Sequence, residues 1–339
     1  MCPKGRPRGK LTGFRCPFQG SLIVTRCQIV VVGSYATGLT MRVDRLPSAG
    51  ETLLAKGYRV DFGGKGSNQA VACARLGANV TFVVKVGQDS FGDMAMGLYR
   101  EEEIKVASVM QVRDAPTGVG FIIVDAKGNN CITIDPGANE LLTAAEVSQC
   151  LDALRSEAVV LTQLEIPVEA AGAALARGRE RNAITILNPA PARILPHSVL
   201  ESVDILTPNQ SEAKVLTGRS PDAAIEPETV ARELIRSGVK EIVMTLGEKG
   251  ALIVTATSSL HIPAINVQAE DTTGAGDSFN AGLALALAGG ARLEEAVRFA
   301  VITGGLAVTR EGVIPALPRR DEVLLFFRQQ GQTSPNWLL

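Results

Sequence analysis

Apolar and polar positions along the chain fall into two alternating patterns. Ile29-Val30-Val31-Val32-Gly33 is a continuous β-branched run ending in glycine, the sign of a strand buried on both faces of a parallel sheet. Runs of the same kind recur at residues 80–84, 158–161, 184–187, 203–206 and 241–245, most of them separated by stretches rich in Ala, Leu, Glu and Arg that suit helices. The alternation predicts an α/β fold, a doubly wound and mostly parallel sheet flanked by helices. Residues 51–61 and 119–135 break the rhythm. They read as strand pairs with polar turns, the second turning at Lys127-Gly128-Asn129, and predict a small β appendage.

Residues 1–27 carry Lys4, Arg6, Arg8, Lys10, Arg15 and Arg26, no acidic residue and no apolar stretch long enough for a signal peptide, so they are expected to be a disordered basic extension. Residues 28–330 are expected to form one α/β domain and 331–339 a C-terminal tail. The apolar stretch at 275–290 is interrupted by Asp277, Ser278 and Asn280, which argues against a membrane span.

Composition narrows the chemistry. A chain of 339 residues, 46% hydrophobic and with a net charge of −1, can bury a large core and offers no field for nucleic acid or an anionic membrane. Aromatic residues for base stacking make up only 4%. Six cysteines without a C-x-x-C pair read as free thiols, which points to a reducing, cytoplasmic compartment. Two histidines, His197 and His261, lie far apart, so acid–base work falls to carboxylates.

Four stretches carry candidate chemistry. Gly63-Gly64-Lys65-Gly66-Ser67-Asn68-Gln69-Ala70 is a glycine-rich loop running into a helix of small residues, able to bring backbone close to hydroxyl or phosphate oxygens. It fits neither a Walker A loop nor G-x-G-x-x-G, and read alone it is equally a turn with a solvated lysine. Asp271-Thr272-Thr273-Gly274-Ala275-Gly276-Asp277 precedes an apolar helix. The N–H groups of Gly274, Ala275 and Gly276 can converge on one anion at its start, with Asp277 placed to take the proton of an attacking hydroxyl. Isolated, that Asp is as readily a helix N-cap. Asn209 and Glu212, three residues apart at a helix start, suit either a hydrated Mg²⁺ or a capping box. Thr245-Leu246-Gly247-Glu248-Lys249-Gly250 follows a buried strand and suits either a nucleotide cradle or a hairpin.

Read together and in order, these stretches resemble the ribokinase branch of the pfkB carbohydrate kinase family. The likeness extends from Ile29 to about Arg320 and takes in Ala74-Arg75-Leu76-Gly77-Ala78, Asn188-Pro189-Ala190-Pro191-Ala192-Arg193 and Leu206-Thr207-Pro208-Asn209. The resemblance implies an ATP-dependent phosphotransferase acting on a carbohydrate hydroxyl, with Asp277 as base and Gly274, Ala275 and Gly276 as anion hole. It implies sugar contacts at Gly64, Lys65, Asn68 and Glu165, and a nucleotide site at Asn209, Thr245, Gly247 and Gly250. Glu212 would hold Mg²⁺ through water. Asp271, Thr273, Ala307, Arg310 and Gly312 would hold K⁺, partly by backbone oxygens. Residues of about 41–61 and 116–135 would form a β lid that closes over the sugar and pairs with a second copy in a homodimer.

The chain departs from that family at the end of its first strand. The usual Gly-Ser-x-Asn-x-Asp becomes Gly33-Ser34-Tyr35-Ala36-Thr37-Gly38, which removes two polar side chains from the sugar site and leaves Tyr35 or Thr37 as possible replacements. Ala316 stands where ribokinases often carry serine near the cation. Two alternatives follow: a kinase for a nucleoside or another polyol, and a sugar- or nucleotide-responsive sensor without turnover.

Overall fold

In the computed structural model of the chain, the described residues are 28–105, 109–152 and 158–338. The basic stretch at 1–27 lies outside them. Thirteen strands run in chain order as β1 (Gln28–Val32), β2 (Ala36–Arg42), β3 (Tyr58–Gly63), β4 (Asn79–Gly87), β5 (Val109–Val112), β6 (Val119–Val124), β7 (Asn130–Asp135), β8 (Val159–Thr162), β9 (Ile184–Leu187), β10 (Ile205–Leu206), β11 (Glu241–Thr245), β12 (Ala251–Val254) and β13 (Ser259–Ile262). Ten helices are α1 (Lys65–Arg75), α2 (Ser90–Glu101), α3 (Ala144–Cys150), α4 (Val168–Glu180), α5 (His197–Leu200), α6 (Gln210–Leu216), α7 (Pro227–Arg236), α8 (Ala275–Ala288), α9 (Leu293–Ala307) and α10 (Arg320–Gln329).

The main sheet has nine strands in the order β13-β12-β11-β10-β9-β8-β1-β4-β5. All pairs from β11 to β5 are parallel, and β12 and β13 close one edge antiparallel. β1 shows why the run at 29–32 is continuous: Ile29 and Val31 enter the core under α1, α8 and α9, whereas Val30 and Val32 enter the core under α4 and α7. A strand covered on both faces has no solvent side to make polar. β10 is shorter than the apolar run at 203–206 suggests, because Val203 precedes the pairing segment.

A second sheet of four strands, β3-β2-β6-β7, stands off the main one. The expected hairpin at 119–135 is present as β6 and β7, turning at Asp125, whose carboxylate accepts from the N–H groups of Lys127 and Asn129. The expected strand pair at 51–61 is not. Only β3 forms there, and its partner is β2, beginning at Ala36, whose sequence Ala-Thr-Gly-Leu-Thr-Met-Arg lacks a clean alternation. At the far end of the chain Trp337 packs edge-on against Phe299 at 4.8 Å, so the last turn joins the core.

Candidate active site

The parallel strands all present their C-terminal ends on one edge, and the side chains singled out above collect there, as expected of an open α/β sheet. β1 leads to Ser34, β8 to Gln163 and Glu165, β9 to Asn188, β10 to Thr207 and Asn209, and β11 ends at Thr245. α1 and α8 begin at the same edge.

Gly274 caps α8 with a left-handed φ of 81°, and a Cβ there would come within 2.8 Å of Val313, so glycine is required twice over. Asp277 is therefore the third helical residue and not the N-cap. The N–H groups of Gly276 and Asp277 open the helix without intrahelical acceptors, the condition for an anion site at a helix N-terminus. The Asp277 side chain is 6% exposed and turns inward, accepting from Asn68 Nδ2 (2.8 Å) and Gln69 Nε2 (3.0 Å). Burial raises its pKa, opposed by Lys65, Asn68 and Gln69.

Behind Asp277 runs a buried network with no counterpart in the sequence reading. Gln69 Nε2 also donates to Asn188 Oδ1 (3.0 Å), Gln69 Oε1 accepts from Gln163 Nε2 (2.5 Å), and Asn188 Nδ2 donates to the Thr207 carbonyl (3.3 Å). Thr207 Oγ1 donates to Asn280 Oδ1 (2.6 Å), and Asn280 returns to the Gly276 carbonyl (2.8 Å). The chain of amides ties the Asp277 carboxylate to the Gly276 carbonyl in the first turn of its own helix. Asn68 Oδ1 and Gln163 Oε1 are buried without a partner among the described residues, a cost of about 1–3 kcal/mol each that a ligand or water can relieve.

On the other side of Asp277, Glu165 Oε2 accepts from Ser34 Oγ (2.6 Å) and from the N–H of Lys65 (2.8 Å), which holds the start of α1 beside the end of β1. Lys65 is drawn toward the neutral form by burial, but Asp277, Glu165 and Glu212 outweigh this and hold its pKa above the usual value. Gly64, the cap of α1, lies between β2 and this cation. Tyr35 and Thr37 do not face this space. Both are fully buried, with their hydroxyls 3.1 Å apart, and the Tyr35 ring packs on Tyr99, so neither replaces the missing polar groups.

Asn209 and Glu212 form the capping box of α6: Asn209 Oδ1 accepts from the Glu212 N–H and Glu212 Oε2 from the Asn209 N–H, both at 2.8 Å. Burial raises the Glu212 pKa, opposed by the Asn209 N–H and Lys65. A metal role thus has to share this carboxylate with the cap.

Beyond the start of α8 opens a cavity of about 680 Å³. Thr245, Gly247 and Gly250 line it, as do Ala275 and Gly276, so the cavity and Asp277 meet at the same helix turn. Asn209 is not on its wall but pairs with Thr245 alongside. The apolar wall comes from Ile265, Val267, Phe279 and Val301, and Asn266 adds an amide. Sequence reasoning missed this wall. One signal was available in Gly304-Gly305, two glycines inside a helix where each costs about 1 kcal/mol. A Cβ on Gly305 would lie 2.5 Å from Ile265, so Gly305 admits the 263–269 segment against α9, while Gly304 faces Ala275 and Phe279 of α8.

Asp271 sits on the rim of the same region. Its Oδ1 accepts from the Thr273 N–H (2.9 Å) and hydroxyl (2.6 Å), and its Oδ2 from the Gly312 N–H (3.0 Å), joining two of the loops expected at the K⁺ site. Burial pulls its pKa up, but these donors and Arg59 prevail and hold it below the usual value. Ala307 ends α9 nearby, and Arg310 pairs its guanidinium with Glu322 (2.8 Å), which leaves a backbone oxygen as its only contribution. Among the described residues no group of three or more His, Cys, Asp or Glu side chains could hold a metal ion, and no helix is long and apolar enough to cross a membrane.

The model of the pfkB family of carbohydrate kinases matches residues 27–320. The ribokinase of Haemophilus influenzae is 35% identical over 304 residues, 89% of this chain and 98% of its own length. The deoxyribokinase of Salmonella typhi is 35% identical over 295 residues, 87% of this chain and 96% of its own. Among solved structures, ribokinase from Thermotoga maritima superposes with a TM-score of 0.80 at 36% identity, covering 88% of this chain and 99% of that one. Arabidopsis thaliana ribokinase, complexed with ribose and ATP, gives 0.81 at 30% identity, with 89% and 99% covered.

Proposed function

The chain belongs to the pfkB family of carbohydrate kinases and is an ATP-dependent sugar kinase, and from that premise we propose that Asp277 is the base that receives the proton of the attacking sugar hydroxyl. The observation that carries this reading is the position of Asp277 between two different spaces. On one side stand Lys65, Asn68 with its unpartnered buried oxygen, and Glu165, where a polyhydroxylated acceptor finds donors and acceptors. On the other lies the cavity walled by Thr245, Gly247 and Gly250, which suits a nucleotide.

A γ-phosphoryl group leaving that cavity passes the N–H groups at the start of α8, which stabilise charge spread over its oxygens. Asn68 and Gln69 orient the Asp277 carboxylate toward the hydroxyl. In a loose transition state the proton moves late, so Asp277 needs correct placement more than strong basicity. Lys65 offsets negative charge as acceptor, base and phosphate come together.

Oxygen donors suit both implied cations. Glu212 would hold hydrated Mg²⁺ through water; its burial-raised pKa marks a carboxylate that a nearby cation would favour in the charged form. Asp271, kept ionised, would organise the carbonyls of Thr273, Ala307, Arg310 and Gly312 around K⁺. When bound, Mg²⁺ neutralises phosphate charge and K⁺ supports the anion-hole loop.

We take the acceptor to be a pentose, as ribokinase and deoxyribokinase are similar to this chain at equal identity. The lid would close over it and exclude water. A homodimer would form through the opposite lid face, where Met41, Tyr58, Val60 and Phe121 are 38–75% exposed. The test is coupled ADP release with Mg-ATP and K⁺ over pentoses, 2-deoxyribose, hexoses, ketoses, polyols and nucleosides. A pentose preference supports the reading, a nucleoside preference replaces the acceptor, and silence throughout favours a sensor.

A further inference from the structure

Strand register sorts the lid side chains into two faces. Ala36 pairs with Gly63, Gly38 with Asp61 and Thr40 with Arg59 across β2 and β3; Gly38 also pairs with Gly120, and Gly120 with Ile134. Cross-strand partners share a face. The alternate residues, Thr37 and Phe62 among them, take the other face, which at its root packs into the body: Thr37 is fully buried and Phe62 lies against the main core. The face with Asp61 turns toward the catalytic edge. Arg59 on that face reaches Glu311 (3.3 Å), the residue before Gly312, whose N–H holds Asp271.

Near the root this face is made of Ala36, Gly38, Gly120 and Ile134, and among the described strand residues Asp61 is its one carboxylate. Asp61 Oδ2 accepts from Arg59 Nε (2.6 Å), and Oδ1 carries no hydrogen bond among the described residues. Opposite it, a Cβ placed on Gly38 would approach nothing closer than 3.8 Å, Asp61 Cβ included. The glycine thus leaves room beside the carboxylate that no packing demand requires.

We infer that Asp61 is a sugar-specificity residue, accepting a hydrogen bond from an acceptor hydroxyl in the space left by Ala36, Gly38 and Gly120, and so supplying from β3 the polar contact that β2 lacks. This rests on the reading of Lys65, Asn68 and Asp277 as the floor of the sugar site. Arg59, tied to Glu311, holds one oxygen of Asp61 and so aims the carboxylate while its second oxygen serves the sugar.

The test is steady-state kinetics of Asp61→Ala and Asp61→Asn with the best acceptor of the sugar panel and its mono-deoxy analogues. The expected result for Asp61→Ala is a 10- to 100-fold fall in kcat/KM for the sugar, the range of one charged hydrogen bond, with KM for ATP unchanged. The loss should shrink for the analogue without the contacted hydroxyl. Adding Gly38→Asp to Asp61→Ala should recover much of it, since position 38 has room and lies directly opposite. Glu311→Gln, which weakens the ties of Glu311 to both Arg59 and Arg42 and leaves Asp61 in place, should lower activity toward all these sugars alike. No loss in Asp61→Ala, or an equal loss with every analogue and no recovery by Gly38→Asp, overturns the assignment. The base assignment fails separately, on Asp277→Asn.

Discussion

Replacing Gln69 by leucine probes how Asp277, the proposed base, is held. Gln69 is fully buried and joins three partners: it donates to Asp277 Oδ1 and Asn188 Oδ1 and accepts from Gln163 Nε2. Leucine nearly matches its volume, so the change is chiefly polar. Two amide groups, Gln163 Nε2 and Asn188 Oδ1, lose their partner in a site closed to water, at roughly 1–3 kcal/mol each. A fall in stability of about 2–6 kcal/mol follows, readable as a lower urea midpoint at unchanged slope.

The same substitution acts on titration. Asp277 already has a raised pKa, and Gln69 is one of the groups that lowers it, so Gln69→Leu raises it further. With the carboxylate as the proposed base, the acid limb of kcat/KM against pH moves to higher pH. Stability changes in a linked way. A carboxyl whose folded pKa exceeds its unfolded value keeps its stability below the unfolded pKa and loses it as pH rises through the folded one. The deficit of Gln69→Leu is therefore smaller at acid pH than at neutral pH. An acid limb that stays in place, with a deficit independent of pH, would refute the coupling of Gln69 to Asp277.

Other substitutions separate the remaining parts of the site. Glu212→Gln keeps an oxygen for the Asn209 N–H, so the helix cap and fold survive, while the Mg²⁺ concentration for half-maximal activity rises several-fold; an unchanged Mg²⁺ requirement would remove Glu212 from the metal site. Gly305→Ala forces Ile265 aside and raises KM for ATP by about 10-fold at unchanged sugar KM, since about 1.4 kcal/mol of lost nucleotide contact is tenfold. Equal effects on both substrates would mean that the cavity beside α9 does not take the nucleotide.

Much of the architecture was legible because burial on both faces writes itself as an unbroken apolar run, as at 29–32. The start of α8 was legible in part: glycine at 274 marks the helix entrance, but a carboxylate three residues on reads as readily as a cap. The amide network was not. Gln69, Gln163 and Asn188 lie 94 and 119 residues apart along the partner pairs, and a buried glutamine looks like any surface one in sequence. Tyr35 misled for the opposite reason. Between the end of β1 and the start of β2 it reads as a site residue, yet its ring turns into the core against Tyr99. β2 stayed hidden because it borders the cleft on one face and the body only at its root, which leaves no simple period.

Turnover and ATP binding of Asp277→Asn, measured together, decide whether Asp277 is the base. Asn68 can turn its unpartnered Oδ1 toward the new amide, so the site should keep its shape. With Asp277 as the base, kcat falls by orders of magnitude while ATP affinity is retained. Near-normal turnover would contradict it and return the proton to another group.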